Sequence, residues 1–156
     1  YEHKLKRIRD GAARLGLPNI RTELQDASVC REEWKDSADV VLCDVPCSGL
    51  GIIRKKPEIR FKNPDEIRTL PEIQARILAN CAQYVKKGGT LVYSTCTILQ
   101  RENEDVVRAF LTENPEFEAV SWTHPVCGER ADGMVTLLPP VHNTDGFFIA
   151  KMHRKV

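Results

Sequence analysis

An apolar run too short for a helix constrains this chain most: Ala-Asp-Val-Val-Leu-Cys at 38–43. Its Val-Val-Leu centre would send apolar side chains to both faces of a strand, the pattern of strands covered on both sides. Such a strand needs a neighbour along its edge and helices above and below. It runs straight into Asp44, Pro46, Cys47, Ser48, Gly49 and Gly51. A second run, Gly-Thr-Leu-Val-Tyr-Ser-Thr at 89–95, also delivers a cysteine, Cys96, just past its C-terminal end.

The remaining chain alternates between the two periodicities. Leu5, Ile8, Ala12 and Leu15 predict an amphipathic helix over 2–16, closed by Gly16. Residues 19–25 alternate as a strand ending at Asp26. Pro71 suits a first helical position, and Ile73, Ile77, Cys81 and Tyr84 predict a helix over 71–85, stopped by Lys-Lys-Gly-Gly at 86–89. A helix over 102–114 closes at Pro115, a strand covers 117–122, a loop-rich stretch covers 123–144, and a last strand covers 146–152. This alternation implies right-handed βαβ units, hence an α/β fold with a mostly parallel sheet and helices on both faces. Ligands of such sheets sit beyond the C-terminal strand ends. Asp26, Asp44 to Cys47 and Ser94 to Cys96 converge there on this reading.

The 156 residues suffice for a single core, and 42% hydrophobic with 29% charged residues is ordinary for a globular domain. No apolar run approaches bilayer-spanning length and no secretory signal pattern is read, so a cytoplasmic protein without membrane contact is expected. The six cysteines lack a CxxC pair, which argues against zinc or any other metal site, and the chain does not look like a disulfide scaffold. The net charge of +1 says little about partners. Arg54, Lys55, Lys56, Arg60 and Lys62, however, crowd into 53–62 directly after the cysteine loop. Most such runs are solvated loops, but this position favours a phosphate-binding patch.

Cysteine is commonly a small core residue, and Cys30, Cys43, Cys81 and Cys127 are read that way. Cys47 and Cys96 stand past strand ends, where backbone N–H groups favour a nucleophilic thiolate. Gly49 and Gly51 would let the loop after Cys47 approach a flat substrate closely. Asp44 can hydrogen-bond a heteroaromatic ring, or simply cap a strand end. Two thiols and a carboxylate suit one chemistry in particular. A thiolate adding at C6 of a pyrimidine makes C5 nucleophilic; C5 takes a methyl group, a base removes its proton and the thiol leaves. Spacing alone does not say which cysteine adds and which assists release. Hydrolysis would want a histidine beside a thiol, and no local motif ties His3, His124, His142 or His153 to either one.

Asp-Val-Pro-Cys-Ser-Gly-Leu-Gly at 44–51, Ser-Thr-Cys-Thr at 94–97 and Thr-Asp-Gly-Phe-Phe-Ile-Ala at 144–150 resemble three signature motifs of the RNA cytosine-C5 methyltransferases. Arg-Lys-Lys-Pro-Glu-Ile at 54–59 and the segment around Gln74 resemble the bacterial ribosomal branch, the RsmB (Sun/Fmu) type. The related tRNA enzymes usually follow Pro-Cys-Ser-Gly with other residues. The resemblance implies a Rossmann-like class I methyltransferase that uses S-adenosylmethionine and flips a cytosine of small-subunit rRNA into its pocket. It implies Cys96 as the nucleophile at C6, Cys47 in product release, and Asp44 on the cytosine ring and the methyl donor. Asp26 would contact the adenine, and Pro46, a cofactor contact with Asp26 and Asp44, would shape the loop that presents Cys47. Arg54, Lys55, Lys56 and Arg60 would face RNA.

One departure is large: no G-x-G-x-x-G-like segment occurs in the 156 residues. On the resemblance, the glycine-rich cofactor loop, the ribose-binding acid, the first two strands and an RNA-binding domain would lie upstream of Tyr1. Residues 1–156 would then be a partial methyltransferase domain, truncated at its N-terminus and inactive alone. An exposed sheet edge is costly, so self-association along it, or partial folding, is expected. Two rival readings are a tRNA cytosine-C5 methyltransferase and an RNA-binding piece without catalysis.

Overall fold

The computed structural model describes residues 2–156. The elements in chain order are α1 (Glu2–Arg14), β1 (Ala38–Asp44), α2 (Pro64–Arg68), α3 (Leu70–Ala82), β2 (Val85–Thr95), α4 (Glu104–Glu113), β3 (Phe117–Ala119), β4 (Trp122–His124), β5 (Gly128–Arg130), β6 (Met134–Leu137), α5 (Pro139–His142) and β7 (Phe147–Arg154). Short 3₁₀ turns lie at Leu50–Ile52, Pro57–Phe61 and Gln100–Glu102, among others. Among the described residues, no helix is long and apolar enough to cross a membrane.

The architecture is α/β, but the expected parallel sheet is corrected. The main sheet runs β1-β2-β7-β3, with β6 also on β7. Only β1 and β2 pair in parallel, through the crossover helix α3; β7 is antiparallel to β2, β3 and β6. The connection from β6 turns β7 antiparallel to it, and β7 enters the sheet beside β2 in the direction opposite to β1 and β2.

Among the described residues, helices cover one face of the sheet rather than both. Leu91, Tyr93, Phe148, Ala150 and Met152 have no exposed surface and join Ile77 and Leu78 of α3 and Val107 and Phe110 of α4 in one core. The opposite face is uncovered: Val40 and Leu42 of β1 are 64% and 69% exposed. The apolar run at 38–43 thus does carry side chains to both faces, and this chain covers one of them.

Three further expectations are corrected. Residues 19–25 form no strand, because alternation yields a strand only where a neighbouring edge takes up its backbone groups; Ile20 and Leu24 stay exposed. Asp26 therefore ends an irregular segment. Lys86–Gly89 do not stop α3 but open β2: Ala38 faces Val85 while Val40 faces Thr90, a bulge turned at Gly88 with φ +76°. The stretch 117–122 divides between β3 and the separate β4–β5 hairpin, and the loop-rich 123–144 contains β5, β6 and α5.

The helix stripes also shift. Along α1 only Ala12 is buried. On α3 the inward face is Gln74, Ile77, Leu78 and Ala82, with Ile73 turned outward. Cys43 is buried as expected, whereas Cys30, Cys81 and Cys127 are only partly so. The first and last lie outside the core, since each sits in an irregular or hairpin segment rather than on an inward-facing stripe.

The two leucines on opposite sheet faces give opposite outcomes. Leu91→Ala opens a cavity in a closed core and lowers unfolding free energy by about 2–5 kcal/mol. Leu42→Ala stays within about 0.5 kcal/mol of the parent. Guanidinium unfolding of both variants measures the difference.

Candidate active site

Three loops meet at the C-terminal ends of β1 and β2, and backbone bonds stitch them together. Val45 N donates to Ser94 O at 3.2 Å, Gly51 N to Cys96 O at 3.0 Å, and Gly146 N to Gly51 O at 2.8 Å. The three motif segments at 44–51, 94–97 and 144–150 are therefore one unit. Gly51 is needed for this contact: a Cβ there would overlap the backbone of Gly146. Its close approach is to the third motif, not to a substrate as the sequence suggested. Gly49 takes φ +76°, open to glycine at little cost, and Ile59 packs over it.

Beneath the loops lies a buried polar network that the sequence reading missed. Glu102 and Gln74 have no exposed surface. Glu102 Oε2 accepts from Ser48 N and from Gln74 Nε2, both at 2.9 Å, and Gln74 Nε2 also reaches Pro46 O at 3.0 Å. Tyr93 O–H donates to Glu102 O at 2.6 Å. Asn103 ties the second loop, its Nδ2 donating to Thr97 O at 3.1 Å and its Oδ1 accepting from Thr95 Oγ1 at 2.6 Å. Ser48 Oγ and Thr97 Oγ1 close the set at 2.7 Å. The one available signal was Gln74 itself, three and four residues before Ile77 and Leu78 on the inward stripe.

The network brings Cys47 Sγ to 3.2 Å from Cys96 Sγ. Their proton affinities part. Donation from the Cys47 thiol, the largest cause, pulls Cys96 down to about 7, while burial and the charge of Asp44 oppose the shift and Lys62 assists it. Cys47, holding the shared proton and more deeply buried, is pushed far up. Of the two, Cys96 is the one that gives up its proton more readily. Both line a cleft of about 340 Å³ with Gly49, Ile52, Lys56, Glu58, Ile59 and Lys62.

The three residues read as cofactor contacts also come together. Asp26, Asp44 and Pro46 line a second cavity of about 750 Å³, with Leu24, Ala27 and Val45 among its walls. The Asp26 carboxylate accepts from Ser28 Oγ at 2.7 Å and Ser28 N at 2.9 Å, which holds its pKa below the ordinary carboxylate value. Asp44 Oδ1 accepts from Ser94 Oγ at 3.0 Å. Pro46 faces this cavity while the next residue, Cys47, faces the thiol cleft.

The basic residues divide. Arg54 lies 3.5 Å from Asp145 Oδ1 and Lys55 pairs with the other oxygen, lowering the pKa of Asp145. Lys56 lines the thiol cleft, and Arg60 is exposed outside its lining. Lys62 donates to Ser48 O at 2.7 Å. Two histidines serve structure: Nδ1 of His142 accepts from Leu138 N at 2.9 Å, and Nδ1 of His124 from Val126 N at 3.2 Å.

A family model described as 16S rRNA methyltransferase RsmB/F matches residues 1–153. The probable ribosomal RNA small subunit methyltransferase B of Bacillus subtilis is 44% identical over 162 residues, covering 99% of this chain and 36% of that protein. The ribosomal RNA small subunit methyltransferase B of Thermus thermophilus is 40% identical over 122 residues, 76% of this chain and 30% of its own. Among solved structures, PH0851 superposes with a TM-score of 0.91 at 35% identity, covering 99% of this chain and 35% of that one. A methyltransferase homolog from Pyrococcus horikoshii gives 0.80 at 29% identity, with 99% and 51% covered. The chain spans about a third of the length of the curated relatives it matches.

The proton shared by the two thiols is measurable. Alkylation of Cys96 by iodoacetamide, followed by peptide mass spectrometry, rises with pH through a midpoint near 7. Cys47→Ala removes the donor and moves the midpoint upward toward an ordinary thiol. Cys47→Ser keeps a donor and leaves it near 7. An unmoved midpoint in Cys47→Ala would mean another group stabilises the thiolate.

Proposed function

The chain belongs to the RsmB/F family of 16S rRNA methyltransferases, and on that premise we propose that it carries the base-handling half of an S-adenosylmethionine-dependent methyl transfer to C5 of a cytosine in small-subunit rRNA. The observation that supports this most is the unequal pair of thiols, 3.2 Å apart, in a cleft edged by Lys56 and Lys62.

The Cys96 thiolate adds to C6 of a cytosine flipped into the cleft, forming an S–C bond and pushing the ring electrons toward C5 and N3. C5 then takes the methyl group. Cys47 gains a role from this step. Once the Cys96 sulfur is a thioether it no longer attracts the Cys47 proton, so that proton is released more readily. With that proton passed to solvent, the Cys47 thiolate would remove the C5 proton; the C5–H electron pair re-forms the C5–C6 double bond, the C6–S bond breaks and Cys96 leaves as thiolate. Asp44 lines the larger cavity, and its carboxylate would take hydrogen bonds from the cytosine ring.

The larger cavity suits S-adenosylmethionine, which when bound supplies an electrophilic methyl group. Asp26 and Asp44 offer carboxylates to a cationic ligand bearing an exocyclic amine, and Leu24 and Pro46 offer apolar walls to a planar ring. Arg54, Lys55, Lys56 and Arg60 would follow the RNA backbone; the first two reach it only by sharing or leaving Asp145. Six free thiols suit a reducing cytoplasm.

Residues 1–156 would on this reading act as part of a methyltransferase domain. The outer edge of β1 has no partner strand among the described residues, and Val40 and Leu42 stand exposed beside it. We infer that isolated copies associate there, and a monodisperse monomer in light scattering would overturn that point.

Calorimetric titration of S-adenosylmethionine into the chain separates two cases. Absence of heat means that the cofactor site needs further polypeptide; stoichiometric binding means that methyl transfer can be assayed on the chain itself. In transfer-competent protein, Cys96→Ala abolishes methylation of small-subunit rRNA, and Cys47→Ala accumulates a covalent protein–RNA adduct stable to denaturant. An adduct with Cys96→Ala but not with Cys47→Ala would exchange the two roles.

A further inference from the structure

Among the described residues, Phe61 stands 88% exposed, more than any other large hydrophobic side chain apart from Val156. Exposure of a single apolar residue is ordinary. What surrounds this one is not. The segment that carries it, the 3₁₀ turn Pro57–Phe61, is fixed to the cysteine loop at both ends of its last turn. Ile59, 6% exposed, packs over Gly49. Lys62 N donates to Ile59 O at 3.2 Å, and Lys62 Nζ reaches Ser48 O at 2.7 Å, next to Cys47.

With Ile59 turned in and held, Phe61 is turned out by the backbone rather than by looseness. Burying a phenyl group stabilises by about 2 kcal/mol, so a fixed turn that presents one to water forgoes that gain. Its sequence neighbours are Arg60 and Lys62, and Lys62 and Lys56 line the cleft that holds both thiols. Glu58 is the carboxylate among those lining residues. An exposed aromatic side chain flanked in sequence by two cations, on the turn whose Ile59 lines the cleft and just before Lys62, which also lines it, has the composition of a single-strand stacking platform. A protein partner would more naturally want a contiguous apolar patch, and Phe61 has charged neighbours on either side in sequence.

We propose that Phe61 stacks against an unpaired base flanking the cytosine that enters the thiol cleft, with Lys56, Arg60 and Lys62 taking the phosphates on either side. The proposal rests on the RNA reading above and adds to it a residue that holds the strand by its bases. A stacked flanking base also helps to keep the target unpaired, because the strand is gripped next to the flipped nucleotide.

The test uses the 156-residue chain and a short fluorescein-labelled, cytidine-rich single-stranded oligoribonucleotide, with anisotropy read across a salt series. Phe61→Ala weakens binding by about 5- to 100-fold and leaves the dependence on salt unchanged, because a neutral stacking contact releases no counterions. Phe61→Trp restores affinity, and its added indole fluorescence is quenched on binding. Lys56→Ala with Arg60→Ala flattens the salt dependence instead. If Phe61→Ala binds as the parent does while the lysine–arginine pair weakens binding, stacking is overturned and the RNA reading stands. If the parent itself shows no salt-sensitive RNA binding, the RNA reading fails and the proposal fails with it. Phe61 is exposed, so circular dichroism should find all three variants folded alike.

Discussion

A carboxylate with no exposed surface organises this molecule. Glu102 sits beneath the cysteine loops, and a polar side chain buried there is costly unless donors meet it. Ser48 N and Gln74 Nε2 supply those donors, and each comes from a different part of the chain: the loop after β1 and the helix α3. Bonding one buried oxygen, Oε2, from both sides therefore fixes where the Pro46–Ser48 backbone lies relative to the crossover helix. Asn103, the next residue, does the same for the loop after β2 through Thr95 and Thr97. Removing either partner would leave a buried polar group unpaired, so the arrangement resists piecemeal change.

Everything chemical about the site follows from that anchoring. The thiols come from different strands, 49 residues apart in sequence, and their 3.2 Å contact depends on both loops being held. The contact gives Cys96 a thiol donor and lowers its proton affinity, while Cys47 keeps the proton. Gly51 and Gly146 pack backbone to backbone on the other side, which leaves the third motif little freedom to drift. The site is accordingly rigid where bonds would be made, on a sheet whose helical side is closed and whose other face is open.

The sequence was legible where local physics decides. The apolar runs at 38–43 and 89–95, the helices around Ile77 and Phe110, and the last strand were all readable from periodicity and punctuation. The motif cysteines were also legible, because each follows a strand end. Residues 19–25 misled because alternation describes a strand without saying whether a partner edge exists. The stretch 117–122 misled because only pairing splits it, Phe117 and Ala119 to β7 and Trp122 to β5. Gln74 was legible as a motif residue, but its role was not, because the acceptor Glu102 lies 28 residues away and meets it only in the packed molecule.

By itself the sequence determined the two core apolar strands, the main helices, the two strand-end cysteines and the family to which their motifs belong, because these depend on residues near one another along the chain. Tertiary structure alone decided strand direction, the uncovered face of β1, the pairing of Arg54 and Lys55 with Asp145, and the sharing of a proton between Cys47 and Cys96. Each of these depends on which distant groups meet. No local pattern encodes that, since burial and hydrogen-bond satisfaction are properties of the packed molecule as a whole.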